Sequence, residues 1–295
     1  MSTLSTPRPS ISVVVGSNGA PGSVVRCLAS LAPQVGSDIE VIVCEAAPSE
    51  DEVRAEFPFA RFETRPGLLM PELWQAGIEL SPGEIVALTI SPMEVASDWV
   101  ETIRDRFASG ELAALGGAID AGHGLRLSDW AEYFCRYVAD MPPFPVHESL
   151  DLPGDNAAYR RDRLDEVRDS WSHGFWEPEV HLALKERGAT LVHDPALLVR
   201  QGRSAGFGAF FRQRLVHGRE YGRARGARFS AARNAIGIAL AAVVPWLLIL
   251  RAARLVFARG RHRARFVASL PLLLAFDIAW AFGEAHGHFE ALRSR

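Results

Sequence analysis

A glycine-rich loop, GSNGAPG at residues 16–22, directly follows the first apolar run of the chain. Glycines placed after a strand permit a tight turn and let the backbone approach a phosphate group closely, as in dinucleotide-binding folds. The spacing here is Gly16, Gly19 and Gly22, which differs from the dinucleotide pattern. The loop is therefore a weak indication of phosphate chemistry, and an ordinary glycine turn is the more frequent origin of such a sequence.

A second stretch capable of phosphate chemistry contains Arg212, Gln213 and Arg214. Guanidinium groups bind phosphate oxygens through two parallel hydrogen bonds, so both arginines are candidates for holding a phosphorylated ligand. They also precede a very apolar C-terminal segment, and arginines in that setting contact lipid headgroups. The sequence leaves both interpretations open.

The elements that must position these groups alternate along the chain. β-Branched runs at 11–15, 39–44 and 84–90 are typical of buried parallel strands. Helical spacing of apolar residues between the strands, and over 68–80 and 98–108, predicts helices that cover a sheet. The later, less regular part predicts a strand at 116–119, a helix at 127–138 and a proline-initiated helix at 175–188. A strand and loop over 189–199 and an arginine-rich helix at 207–223 follow.

Five blocks, in order, resemble family-2 glycosyltransferases with the GT-A fold. They are ISVVVGSNGAPGSVVRCLASLAPQVGSDIEVIVCE, WQAGIELSPGEIVALTI, LPGDNAAYRRDRLDEV, FWEPEVHLALKERG and FFRQRLVHGREYGR. The resemblance covers about residues 10 to 225, and a hydrophobic tail follows, as in membrane-bound members of that family. It implies an α/β, mostly parallel sheet flanked by helices. It also implies transfer of a sugar from a nucleotide-diphospho-sugar donor to an acceptor hydroxyl with inversion.

The resemblance also implies which residues bind the donor. In the family the first strand and its loop surround the nucleotide, and here that strand leads to Ser17. Glu45 stands where an acid at the end of the second strand holds the base and ribose. Ser91 follows the third strong strand. The helix with Arg212, Gln213 and Arg214 is similar to the family's Gln-x-x-Arg-Trp diphosphate motif, although Val216 and His217 replace its last two residues.

In the family the strand EIVALT precedes an Asp-x-Asp-like acid pair whose last member binds Mg²⁺ or Mn²⁺. This chain has Ile90, Ser91, Pro92 and Met93 there, and Glu94 is the nearest acid. Hard cations require oxygen ligands, and a serine hydroxyl does not replace a carboxylate. We therefore assign no metal ligand and expect reduced or absent metal dependence, with arginine charge on the leaving diphosphate. Loss of catalysis is the other interpretation, and Mg²⁺ or Mn²⁺ bound through a reoriented Glu94 is a less favoured one.

For the general base, the resemblance points to Glu177 in FWEPEVHLALKERG. A residue before proline avoids helical backbone, so Glu177 is expected at the N-cap, where the helix dipole stabilises its anion. Glu179 is the fallback, and His181 is close enough in sequence to orient either carboxylate. Asp155 and Asn156 are expected near the acceptor, with a local Asx turn as an equally plausible role.

Net charge is distributed unevenly along the chain. The overall value of −3 combines an acidic body with a C-terminal part, 201–295, that holds 16 arginines and only four acids. A basic segment suggests an anionic membrane, a phosphate ligand or nucleic acid. Because this segment is also very apolar, we expect a membrane partner and no nucleic acid.

Two apolar stretches, 234–250 and 266–282, are at the short limit for crossing a bilayer. Asp277 lies near the middle of the second, where a charge is costly unless it faces water or a partner. The linker between the stretches and the preceding segment 203–228 are both arginine-rich, so both favour the same anionic leaflet. This favours an in-plane or re-entrant helical hairpin over two spans, with a buried soluble helix pair as the third interpretation.

The compartment is predicted from cysteines and from the N-terminus. Cys27, Cys44 and Cys135 are widely spaced, which indicates buried free thiols and suits a reducing compartment. The first ten residues lack an apolar signal core. We therefore expect the acidic body at the cytoplasmic face of the cell membrane.

These observations predict a GT-A-like catalytic domain over 1–228 and a membrane-associated helical region over 229–295. The acceptor is expected to be lipid-linked or a carbohydrate. Two other functions remain open. One is a non-catalytic nucleotide-sugar-binding or scaffold protein, which the missing acid pair favours. The other is an NAD-dependent oxidoreductase built on the glycine-rich loop.

Overall fold

The computed structural model describes residues 11–19, 22–108, 112–203 and 206–294. Packing divides them into two compact units. The first contains the described residues up to Gly122 together with Asp140–Gly202, and the second contains His123–Ala139 with the described residues from Arg203 onward. Residues 203–228, which we assigned with the catalytic domain, thus pack with the C-terminal helices. The functional boundary at residue 228 stays a prediction.

The described part of the first unit contains one nine-stranded sheet. Its order is β3-β2-β1-β4-β8-β6-β9-β5, and β7 pairs with β9. The strands are β1 Ile11–Ser17, β2 Ile39–Glu45, β3 Ala60–Thr64, β4 Ile85–Ile90, β5 Met93–Val95, β6 Ala114–Ala121, β7 His147–Glu148, β8 Asn156–Arg160 and β9 Leu191–Gln201.

The strands β1, β2, β3 and β4 are parallel, whereas β8 is antiparallel to both of its neighbours. β9 is parallel to β6, so its end lies at the same edge as the ends of β1 and β4. The β-branched and apolar residues of β1, β2 and β4 are buried on both faces, as expected where helices cover both sides. The predicted mostly parallel sheet flanked by helices is confirmed.

In its described part, the first unit contains six α-helices. They are α1 Ser23–Leu31, α2 Asp51–Glu56, α3 Met70–Leu80, α4 Trp99–Phe107, α6 Arg161–Glu166 and α7 Glu177–Glu186. Helix α1 shows why they dock. Val24, Cys27, Leu28 and Leu31 recur at helical spacing and are all buried. Cys44 on β2 is buried too, as predicted for these thiols, and Cys135 of the second unit is partly buried.

The second unit is helical in its described part. It contains α5 Leu127–Tyr137, α8 Phe207–Arg228, α9 Ala231–Leu240, α10 Val244–Arg259 and α11 Arg263–Arg293. Helices α8 and α11 approach backbone to backbone. A Cβ on Gly222 of α8 would lie 2.2 Å from the carbonyl oxygen of Glu284, and a Cβ on Gly287 of α11 would lie 2.1 Å from that of Arg219. Gly218 and Gly283 make equivalent contacts.

The apolar stretch 234–250 does not form one continuous helix, so the first arm of the predicted hairpin is divided in two. It is broken between α9 and α10, which are bent by 62°. Pro245 stands in the first turn of α10, where its missing N–H costs nothing because the first N–H groups of a helix have no intrahelical partner. A helix that continued from α9 through Pro245 would lose a hydrogen bond there and clash with the proline ring. The second stretch lies within α11, which is long and apolar enough to cross a bilayer. Among the described residues, α9 with α10 passes the same test only as a bent pair.

Candidate active site

The ends of β1, β2 and β4 bring the predicted donor residues to one edge of the sheet. Ser17 and Glu45 are register partners at the ends of β1 and β2. Ser91 follows β4, and its N–H donates to the Gly16 carbonyl oxygen at 2.8 Å. The N–H of Ala46 donates to the Ser17 carbonyl oxygen at 2.8 Å. The carboxyl edge of a parallel sheet, where these residues meet, is the usual ligand-binding edge of α/β folds.

The Glu45 carboxylate is buried and bonded within the chain. Its Oε2 accepts hydrogen bonds from the Ser49 N–H at 3.0 Å and the Ser49 hydroxyl at 2.6 Å. Its Oε1 accepts from the Thr64 hydroxyl at 2.9 Å and pairs with the Arg54 guanidinium. Glu45 therefore orders the loop after β2, and a ribose would reach its carboxylate only by displacing one of these partners.

The glycine-rich loop owes its first glycine to packing. A Cβ on Gly16 would lie 2.3 Å from the Met70 sulfur and 3.2 Å from Trp74 Nε1, so α3 lies directly on the end of β1. Gly19 and Gly22 have φ angles of 81° and 65°, which favour glycine in a turn. The middle of the predicted motif, residues 20 and 21, lies outside the described residues.

The position of the expected metal-binding acid is occupied by hydroxyl groups. The Ser23 hydroxyl donates to the Ser91 hydroxyl at 2.9 Å, and both side chains are buried. Glu94, the nearest acid in sequence, is half-exposed and faces Arg26, with 3.6 Å between Oε1 and Nε. No group of three or more metal-ligating side chains occurs among the described residues. The donor set at Ser91 does not fit Mg²⁺ or Mn²⁺, because it lacks a carboxylate.

Glu177, the predicted general base, packs against the loop that precedes β8. A Cβ on Gly154 would lie 2.4 Å from Glu177 Oε1, so the carboxylate rests on the backbone of that loop. Helix α7 begins at Glu177, with Trp176 as the N-cap and Pro178 in the first turn. The predicted N-cap position is therefore one residue too late. Glu177 still lies at the helix N-terminus, where the dipole favours its anion.

His181 links α7 to the same loop from the interior. Its Nε2 is 2.9 Å from the Tyr159 hydroxyl, and its Nδ1 makes a short contact with the Asp151 carboxylate. His181 and Tyr159 are fully buried, and their rings stack. Burial, followed by the charges of Glu177 and Asp151, raises the pKa of Tyr159 well above its usual range.

Asn156 and Asp155 lie at the same edge, next to the end of β4. The buried Asn156 amide uses its hydrogen-bonding groups inside the chain. Its Oδ1 accepts from Trp99 Nε1 at 2.8 Å, and its Nδ2 lies 2.9 Å from the carbonyl oxygens of Ala118 and Leu197. The Asp155 carbonyl oxygen accepts from the Thr89 hydroxyl at 3.0 Å. Asn156 therefore ties β8 to β6, β9 and α4.

The predicted diphosphate residues belong to the second unit. Arg214 is largely buried, lies 4.2 Å above the Trp280 ring and pairs with Asp277 at 3.8 Å. Its Nε has no hydrogen-bond partner among the described residues. Arg212 is exposed, and Gln213 is partly buried. Within this unit Arg214 thus connects α8 to α11, and Arg212 is the arginine of the pair that is open to a ligand.

Several residues of the site were not anticipated from the sequence. Ser23 bonds to Ser91, and Arg26 pairs with Glu94, in each case across 68 residues of chain. Tyr159 bonds to His181, which lies 22 residues further along the chain. The start of α1 after a glycine turn was the one available signal for Ser23. For Tyr159, the sequence NAAYR indicates a strand, but it does not indicate which histidine the tyrosine contacts.

No protein-family model and no curated protein matches this sequence. Solved structures do. The chain is similar to the structure of a mannosyltransferase from Pyrobaculum calidifontis in complex with GDP-mannose and Mn²⁺, with a TM-score of 0.53 and 15% identity over 95% of this chain and 88% of that one. It is also similar to GalNAc-T7 with UDP, GalNAc and Mn²⁺, with a TM-score of 0.50 and 14% identity over 68% of this chain and 46% of that one.

At these identities the likeness concerns the fold. It agrees with the mixed sheet flanked by helices and with the apolar helix near the C-terminus. The chain therefore has the GT-A-like fold of nucleotide-sugar glycosyltransferases.

Proposed function

We propose that this protein is an inverting glycosyltransferase with reduced or absent metal dependence, acting at the cytoplasmic face of a membrane. Its donor is a nucleotide-diphospho-sugar, and its acceptor is a hydroxyl of a lipid-linked or carbohydrate molecule. The support is the fold, together with a carboxylate at the correct edge of the sheet.

The observation that carries the proposal is the position of Glu177. β8 runs antiparallel to β4 and pairs Asn156 with Thr89, so the loop before β8 lies at the edge where β4 ends. Glu177 rests on that loop at Gly154. Ser17 and Ser91 lie at the same edge. The Glu177 carboxylate thus lies beside the edge that would hold the donor.

This arrangement suits a single displacement. The acceptor oxygen attacks the anomeric carbon from the face opposite the diphosphate, and Glu177 takes the proton from the acceptor hydroxyl. The bond between the anomeric carbon and the phosphate oxygen breaks, and its electron pair leaves with the nucleoside diphosphate. One displacement inverts the anomeric configuration. His181, four residues along α7 and fixed by Tyr159 and Asp151, holds the helix start that carries Glu177.

The test compares Glu177→Gln with Glu179→Gln, which removes a carboxylate from the same helical turn. Transfer from radiolabelled UDP-, GDP- and TDP-sugars to a membrane lipid extract and to oligosaccharides is measured in detergent. We expect Glu177→Gln to lower the rate by about 10²–10⁴-fold, the usual contribution of a general base, while donor binding persists. Glu179→Gln should keep most activity. Unchanged transfer by Glu177→Gln would contradict the assignment.

The membrane part of the proposal rests on the surface of the second unit. Ile236, Trp246, Leu247 and Phe282 are each more than half exposed. The same region contains the arginines of 201–295, which outnumber its acids four to one. An apolar surface with neighbouring arginines suits an anionic leaflet, into which apolar side chains insert while guanidinium groups contact phosphates. The 62° bend between α9 and α10 favours an in-plane or re-entrant position for this pair.

Vesicle binding tests this part. Full-length protein is mixed with phosphatidylcholine vesicles with or without phosphatidylglycerol, and the bound fraction is measured by flotation. We expect binding that requires the anionic lipid and weakens with salt. Leu247→Asp should weaken it by about ten-fold or more, the loss of one buried apolar side chain. Leu150→Asp, at an exposed leucine of the first unit, is the control. Equal binding by both variants would refute the assigned surface.

A second candidate is a nucleotide-sugar-binding protein without transfer activity. It is favoured by the hydroxyl pair at Ser91, which stands where a metal-binding acid was expected. Calorimetry separates the two functions. Donor binding without turnover for any acceptor, with wild type and Glu177→Gln behaving alike, would establish the second candidate.

A further inference from the structure

The edge of the sheet at Ser91 contains a cation that the proposed function has not yet used. Arg26 lies on α1, three residues after Ser23 and therefore on the same helical face. Its Nε lies 3.6 Å from Glu94 Oε1. A Cβ on Gly202 would lie 3.6 Å from the same nitrogen, and a Cβ on Gly22 would lie 3.5 Å from Nη1.

These neighbours place Arg26 at the carboxyl edge. Gly202 follows β9, whose end lies at the same edge as the ends of β1 and β4. The Gly202 N–H donates to the Pro92 carbonyl oxygen at 2.7 Å, immediately after Ser91. The Ser23–Ser91 hydrogen bond joins α1 to the end of β4 from the other side. Arg26 is thus held beside the position at which a metal-binding acid was expected.

Other arginines of the first unit have partners elsewhere. Arg54 pairs with the buried Glu45 carboxylate, Arg106 with Asp194, Arg104 with Asp38, and Arg161 with carbonyl oxygens of Ile78 and Ser81. The partner of Arg26, Glu94, is half-exposed and 3.6 Å away. Arg104 also has a half-exposed partner, Asp38, but that pair lies near the opposite edge of the sheet, whereas Arg26 lies at the carboxyl edge. Exposed pairs of this kind contribute about 0–1 kcal/mol, so an incoming diphosphate with more than one charge can displace the carboxylate.

We propose that Arg26 binds the donor diphosphate and supplies the stabilisation that a divalent metal would otherwise provide. This inference rests on the proposed function. When the bond between the anomeric carbon and the phosphate oxygen breaks, the electron pair moves onto the diphosphate. The guanidinium donates hydrogen bonds to the oxygens that gain this charge. Glu94 competes with the ligand for Arg26 and therefore limits its affinity.

The test uses calorimetric binding of UDP, GDP and TDP to full-length protein in detergent with EDTA. The variants are Arg26→Gln, Glu94→Gln and the control Arg104→Gln, whose arginine is equally exposed but pairs with Asp38 near the opposite edge. The preferred diphosphate should bind wild type in EDTA. Arg26→Gln should weaken it about ten-fold to a hundred-fold, as expected when hydrogen bonds to a charged group are lost. Arg104→Gln should bind as wild type, and Glu94→Gln should bind more tightly.

Three outcomes would overturn the inference. Binding that disappears in EDTA and returns with Mn²⁺ would place a metal where we place Arg26. Equal affinity of Arg26→Gln and wild type would show that the guanidinium does not contact the diphosphate. In both cases loss of transfer in Glu177→Gln would still support sugar transfer with Glu177 as the base, although the first outcome would contradict the reduced or absent metal dependence that we propose. Failure of wild type to bind any nucleoside diphosphate or nucleotide sugar, with or without metal, would refute the proposed function as well.

Discussion

Because α8 and α11 are in backbone contact, we predict that one methyl group added at Gly222 forces these two helices apart. In Gly222→Ala the new Cβ would lie 2.2 Å from the Glu284 carbonyl oxygen, 2.9 Å from its carbonyl carbon and 3.0 Å from its Cα. All three atoms belong to the backbone, so no side-chain rotation relieves the overlap. The helices must move apart by roughly 1 Å, a gap that forfeits about a quarter to a half of each dispersion contact along the interface.

The size of the effect follows from two opposing terms. Alanine stabilises a helix over glycine by about 1 kcal/mol, and overpacking of a well-packed contact costs about 1–3 kcal/mol. Gly208 lies on the same helix, and a Cβ there would meet nothing within 4 Å. Gly208→Ala therefore experiences only the favourable term. The difference in stability between the two variants should equal the packing cost, about 1–3 kcal/mol, with Gly222→Ala the less stable.

Thermal unfolding followed by far-UV circular dichroism in a single detergent measures this difference. We expect the apparent Tm of Gly222→Ala to fall below that of Gly208→Ala by several degrees. The refuting result is an equal or higher Tm for Gly222→Ala, since the helices could then not be in backbone contact at this position. Gly287→Ala, from the opposite helix, should behave like Gly222→Ala because its Cβ would lie 2.1 Å from the Arg219 carbonyl oxygen.

Three other outcomes concern the first unit. Asn156→Ala should lower the free energy of unfolding, measured in urea titrations, by about 3 kcal/mol or more. It removes the hydrogen-bond partner of three buried groups, Trp99 Nε1 and the carbonyl oxygens of Ala118 and Leu197. A smaller loss of stability would mean that the amide does not join β8 to its neighbours. Tyr159→Phe should cost about 1–3 kcal/mol, since His181 Nε2 is left buried and unpaired, and a stability equal to wild type would contradict that bond. Burial raises the pKa of Cys27 and Cys44 to about 12, so the reactive thiolate is disfavoured at pH 8. Iodoacetamide should therefore label them only after unfolding, and rapid labelling of the native protein would show that these thiols are accessible.

The sequence alone determined the local strands and helices and the absence of a metal-binding acid pair after β4. Strands β1, β2 and β4 could be predicted because a strand buried on both faces consists of consecutive β-branched and apolar residues. Such a run is visible in the local sequence. The start of α7 followed within one residue from Pro178, which fits only the first turn. The missing acid pair after β4 was also readable, because a residue type at a fixed distance from a strand does not depend on the rest of the fold.

Only the tertiary structure decided which distant groups meet. The Ser23–Ser91 bond joins residues 68 apart, and the Arg26 position depends on β5 and β9 as well as on α1. The break of the apolar stretch between α9 and α10 was missed because hydropathy carries no information on backbone direction. Glycines of α8 were likewise unremarkable in sequence, since glycine in a helix is unfavourable unless another backbone lies against it. Such contacts arise from chain packing, and local propensity does not encode the partner.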